Sequence, residues 1–152
     1  DAVGLREGPV HAEVRLTSRG PVILEIAPRA IGGLCPRALR FGTGMSLEEL
    51  ILRHALGEPL SGVEREDRAA GVMMIPVPGR GRLAAARGLE AARSEAGIEE
   101  VTLPVHRGDD IEPLPEGNRY IGFIFARGDT PERVERALRD AHRHLHFTIE
   151  RR

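Results

Sequence analysis

Apolar and polar residues alternate from Val10 to Leu16, with Val10, Ala12, Val14 and Leu16 on one face and His11, Glu13 and Arg15 on the other. A period of two over this length predicts a half-buried strand. Val22 to Ala27 is a second strand, and Thr17 to Pro21 between them has turn chemistry. A segment rich in glycine and proline follows from Pro28 to Gly44. Ser46 with Glu49 then forms a capping box, and Leu47, Leu50, Ile51 and Ala55 give one apolar helical stripe, closed by Gly57 and Pro59. Glu58 to Arg68 is polar and reads as a linker, so the expected domains are residues 1–67 and 68–152.

Beyond the linker, Gly71 to Val77 is an apolar strand. Arg82 to Ala96, rich in Ala, Arg and Glu and ended by Gly97, predicts a helix. Glu99 to Val105 is a strand, and His106 to Asn118 is a loop around Pro113-Leu114-Pro115. Arg119 to Ala126 is apolar on both faces, which places it centrally in a sheet. Thr130 and Pro131 open a last helix with the stripe Val134, Ala137, Leu138 and Ala141, and Leu145 to Ile149 is a short final strand. The second half therefore has the order β-α-β-β-α-β, which is ferredoxin-like. The fold class is α/β (α+β).

Composition changes the picture in one respect. The chain has 152 residues and a net charge of −1, and all 22 of its basic residues are arginine. Without lysine it can supply no Schiff base, no phosphate-loop lysine and no lysine general base. Near-neutral charge with one tyrosine and four phenylalanines argues against nucleic-acid binding. No apolar run approaches a membrane span, and no signal peptide is visible. The single Cys35 excludes an internal disulfide framework and points to a reducing cytoplasm. A start at Asp1 without an initiator methionine suggests a piece of a longer protein.

The most informative chemistry is in the first hairpin. A three-residue loop, Ser18-Arg19-Gly20, with Gly20 left-handed, sets Glu13 directly opposite Glu25. Like charges opposed on a sheet are destabilising. A hard divalent cation such as Mg²⁺ removes that cost, because it takes carboxylate oxygens together with substrate phosphates. The alternatives are a register slip, which would turn Glu25 to the other face, or two carboxylates with separate arginine partners. Arg29 and the pair Gly32-Gly33 come next. A planar guanidinium beside backbone amides that can approach closely makes an anion clamp. Alternatively, Arg29 pairs with the acids and the glycines shape a turn.

These residues carry a family resemblance. Pro21 to Gly33, PVILEIAPRAIGG, preceded by Gly8 to Glu13, GPVHAE, resembles the end of the catalytic region of ATP-grasp enzymes, in the amino-acid-ligase and biotin-carboxylase-like branch. Cys35 to Phe41 with the helix from Ser46 resembles its continuation, and Gly122 to Gly128 with the helix from Thr130 resembles the small C-terminal domain of the same ligases. The resemblance implies the end of an ATP-grasp antiparallel sheet followed by the small ferredoxin-like domain. It implies a parent enzyme that joins a small-molecule carboxylate to an amine through an acyl phosphate, with ATP and Mg²⁺ as cofactors. Glu13 and Glu25 would then be metal ligands that also hold the nucleotide, and Arg29 would be catalytic and substrate-binding, with Gly32 and Gly33 lining the substrate. Many ATP-grasp members place Asn two residues after the second Glu; here that residue is Ala27, so a second metal would lose a ligand. The phosphate-holding lysines of such enzymes lie upstream of this hairpin. The absent lysine then means that the rest of the site belongs to an N-terminal part of the same enzyme, and that this chain alone is inactive.

Other candidates carry less. His142, His144 and His146 form a metal-like tract, but they fall where a helix ends and do not share a face. Cys35 reads as a small buried thiol. Gly79-Arg80-Gly81-Arg82 lacks the Lys-Ser/Thr ending of a phosphate loop and reads as a turn before a helix, and Asp109-Asp110 reads as a solvated turn. The competing function is a non-catalytic ferredoxin-like module for regulation or oligomerisation, since that strand order serves many such domains. A sheet edge left open would also let the chain form a homodimer.

Overall fold

The computed structural model describes residues 4–151, so Asp1 lies outside the described residues. The chain divides into two compact units, residues 1–66 and 67–152.

The first unit opens with an antiparallel hairpin of β1 (His11–Thr17) and β2 (Gly20–Ala27). A 3-10 turn at Cys35–Ala38 and helix α1 (Leu47–Ala55) follow. The helix begins where the sequence places it: the Ser46 hydroxyl accepts a hydrogen bond from the Glu49 amide at 3.1 Å, a cap worth about 1 kcal/mol. Only half of the expected box forms, because the Glu49 carboxylate turns forward to Arg53 at 2.7 Å. The polar stretch expected as a linker is partly structured. Residues 64–66 fold back on 40–42: the Gly42 amide donates to the Glu64 carbonyl and the Glu66 amide to the Arg40 carbonyl. Among the described residues of this unit, Pro36 alone is buried.

The second unit has a core of its own. Helix α3 (Pro131–His144) is capped by Thr130, whose hydroxyl accepts from the Arg133 amide, and its buried residues are Val134, Ala137, Leu138 and Ala141, the stripe read from the sequence. It packs on β3 (Ala69–Ile75) and β7 (Gly122–Gly128). Gly71 permits this close approach, because a Cβ there would meet Val134 Cγ1 at 2.8 Å. β7 is central, between β3 and β5 (Ile98–Thr102), and both pairings are antiparallel. Six of its seven residues are buried, as the two-sided apolar pattern predicts.

The helix expected over Arg82–Ala96 is not formed. Gly81–Arg87 is strand β4, and only Leu89–Arg93 is helical, as α2. β4 is the middle strand of a second sheet, between β6 (Asp110–Ile111) and β8 (His146–Glu150), with Leu83 buried. Alanine's helix preference amounts to tenths of a kcal/mol per residue, and a central place in a sheet outweighs it. Gly88 enforces the break. Its φ is +83°, and a Cβ there would collide with the His144 carbonyl oxygen. The order β-α-β-β-α-β therefore runs from β4 through α2, β5, β7 and α3 to β8, with β3 ahead of it and β6 inserted. Its strands are shared between two three-stranded sheets.

Candidate functional site

The hairpin brings Glu13 and Glu25 directly opposite each other, as expected, although its turn differs from the expected one. Thr17 pairs with Gly20, so the loop has two residues, Ser18 and Arg19, and not three. The Thr17 hydroxyl closes it, donating to the Gly20 carbonyl at 2.8 Å and accepting from the Arg19 amide at 3.2 Å. Gly20 has φ +106° but belongs to β2. The register then shifts between Glu13 and Val14, so that Leu24 is the extra residue of a β-bulge. The shorter loop and the bulge each displace the register by one residue, in opposite senses, and the acids end up paired.

Directly opposed residues share a face of the ribbon. Each carboxylate has its own side-chain partner. Glu13 Oε1 lies 3.3 Å from His11 Nε2, and Glu25 Oε1 accepts from Arg29 Nη2 at 3.4 Å. Arg29 also donates through Nη1 to its neighbour Ala30's carbonyl at 3.1 Å. Glu13, Glu25 and Arg29 are each about half exposed. Ion pairs at such exposure contribute at most about 1 kcal/mol, so Arg29 can leave Glu25 for a ligand at little cost. His11 was not singled out from the sequence, yet the two-residue alternation that groups it with Glu13 was visible there.

Gly32 and Gly33 lie in the exposed loop after β2. Gly33 has φ +64°, and a Cβ at either glycine would meet nothing within 4 Å. The loop is open to an approaching ligand. Two hard carboxylates on one face suit Mg²⁺, which commonly uses one or two such groups and takes its other ligands from phosphates and water. They do not make a complete protein cage: among the described residues no three His, Cys, Asp or Glu side chains are grouped to hold a metal.

That observation also disposes of the histidine tract. His144 pairs with Glu95 at 2.7 Å, while His146 begins β8. Cys35 opens the 3-10 turn and is half-buried. Asp109 and Asp110 are more ordered than a solvated turn requires. Asp109 accepts from the His106 amide at 3.1 Å, and Asp110 starts β6. Gly79–Arg82 leads into a strand and not a helix. No described helix is long and apolar enough to cross a membrane.

Comparison with known proteins gives this arrangement a family context. The model of the family described as L-amino acid ligase C-terminal domain 2 matches residues 73–150. The L-amino acid ligase from Bacillus licheniformis superposes with a TM-score of 0.79 at 30% identity, over 98% of this chain and 38% of that one. An uncharacterized protein, y4rH, of Sinorhizobium fredii is 29% identical over 82% of this chain and 26% of its own length. A mycothiol acetyltransferase of Clavibacter michiganensis is 29% identical over 84% of this chain and 40% of its own. The chain thus spans well under half of each relative. By its family model and its superposition on the L-amino acid ligase, the chain matches a C-terminal ATP-grasp fragment.

Proposed function

The chain belongs to the L-amino acid ligase C-terminal domain 2 family, and from that premise we propose that it is part of an ATP-dependent ligase that joins a small carboxylate to an amine through an acyl phosphate. The observation that carries the reading is the pairing of Glu13 with Glu25 across a ribbon whose neighbouring loop offers Arg29 and two open glycines. Such a face presents negative charge for a cation and positive charge for an anion side by side.

Glu13 and Glu25 would hold Mg²⁺, which when bound neutralises phosphate charge and orients the transferring phosphoryl group. Arg29 exchanges its exposed contact with Glu25 for the carboxylate substrate or its acyl phosphate, and the guanidinium fork orients that group for attack by the amine. The Gly32-Gly33 loop lets backbone approach the same anion without side-chain obstruction. His11, beside Glu13, limits the directions that carboxylate can take. The second unit has a self-contained core.

The test is ATP turnover coupled to amide formation in the longer protein that contains this chain, measured as ADP release that requires both acid and amine. E13Q and E25Q should each lower the rate by about a hundredfold or more. An unchanged rate with unchanged Mg²⁺ dependence would overturn the reading. The 152 residues alone should show no ligation.

A further inference from the structure

The second unit contains a cleft that the proposed ligation does not use. It has a volume of about 1080 Å³ and lies between the turn at 78–81, the start of β6 and the end of β8. None of its lining residues belongs to the Glu13–Glu25 hairpin.

One glycine, Gly79, keeps its floor bare, while Gly81 lets β4 and β8 approach closely beside it. Gly81 sits in mid-sheet opposite Ile111 of β6, and a Cβ there would collide with the Glu150 carbonyl oxygen of β8. A Cβ on Gly79 would only just touch Ile149 Cδ1, at 4.0 Å, so space above it stays free. Phe147 and Ile149, two residues apart on β8, pack partly against the core and add an apolar wall. Charge lines the rim. Glu112 is engaged by Arg80 at 3.2 Å and Asp110 by Arg82 at 3.6 Å. Arg151 has no carboxylate partner among the described residues, so its guanidinium is available on a rim where Arg80 and Arg151 balance Asp110 and Glu112.

We propose that this cleft binds a small zwitterion of dipeptide size, with an apolar body and a free carboxylate. The carboxylate pairs with Arg151, whose planar fork matches it. The apolar body lies on Phe147 and Ile149, over the space that Gly79 leaves open. Arg80 and Glu112 form an exposed pair that exchanges readily for a ligand's charges, so Glu112 can take the ammonium group. The volume exceeds the need of a single amino acid and lies at the upper limit of small-molecule sites.

The experiment is a titration of the ¹⁵N-labelled 152-residue chain with L-leucyl-L-phenylalanine, read by amide chemical shifts. Saturable shifts should centre on Gly79, Gly81, Ile111 and Ile149. R151Q, or a probe whose carboxylate is replaced by a carboxamide, should weaken binding at least tenfold. Gly79→Leu should fill the floor and abolish binding while the remaining spectrum stays dispersed, and R143Q on α3 should change nothing. The proposal is overturned if no saturation occurs below about 10 mM. It is equally overturned if R151Q binds as tightly as the unchanged chain, or if inorganic phosphate produces the same shifts. Neither outcome touches the hairpin reading, whose test is ligation by the longer protein.

Discussion

Glu13 and Glu25 face each other across the β1–β2 ribbon, yet each is engaged by a different side chain, His11 at 3.3 Å and Arg29 at 3.4 Å. Opposed like charges do not stabilise a sheet. Removing one should therefore separate stability from activity. In the 152-residue chain E25Q should leave amide exchange in the hairpin unchanged or slower, while in the longer protein the same change lowers ligation about a hundredfold or more. Faster exchange in the hairpin of E25Q would show the pair to be structural.

The other side of the ribbon is apolar and bare. Val14 is 51% exposed, Leu16 82% and Ile23 60%. A two-stranded hairpin without a covering layer is marginal in water, and an apolar patch of this kind seeks a partner. The chain should associate with itself as concentration rises, and Val14→Lys with Ile23→Lys should restore the monomer. Sedimentation velocity decides the matter: a chain that stays monomeric at all concentrations contradicts the expectation.

Gly88 is required by two independent constraints, its φ of +83° and the His144 carbonyl oxygen where a Cβ would lie. Gly88→Ala should therefore lower the unfolding free energy of the second unit by more than about 2 kcal/mol, combining backbone strain with overpacking. Gly57, with φ +73° and nothing within 4 Å of a Cβ, should cost clearly less when changed to Ala. Urea denaturation of both variants, followed by circular dichroism, provides the comparison.

At the start of α3 the Glu132 carboxyl is held below its ordinary value of 4.5 by its own backbone amide and by the Thr130 hydroxyl. A depressed carboxyl pKa contributes stability above the unfolded value, and that contribution disappears as the pH falls through the folded value. Glu132→Gln should thus narrow the gap in stability between neutral and acidic pH. Equal pH dependence in the two chains would refute this.

Much of the fold was legible because local chemistry and packing agree. Ser46 and Thr130 cap where their hydroxyls can reach a third-residue amide, and the stripe from Val134 to Ala141 has helical spacing wherever it is placed. The β7 strand reads as central because both of its faces are apolar. Arg82–Ala96 is ambiguous in sequence because alanine fits a strand centre as well as a helix, and the partners of β4 come from residues 110–111 and 146–150, far along the chain.

The candidate site shows the same division. Residue types and spacing were enough to place two acids, one arginine and two glycines within a single hairpin and its exit loop. Tertiary structure decided how the acids come to face each other: a two-residue turn stabilised by Thr17 and a bulge at Leu24, each moving the register by one residue. It also decided that, among the described residues, the hydrophobic core cluster lies in the second unit, between Ile75 and Leu145, while the hairpin's large apolar residues stay exposed. Burial depends on surfaces brought together from distant parts of a chain, and alternation along one strand carries no record of what will cover it.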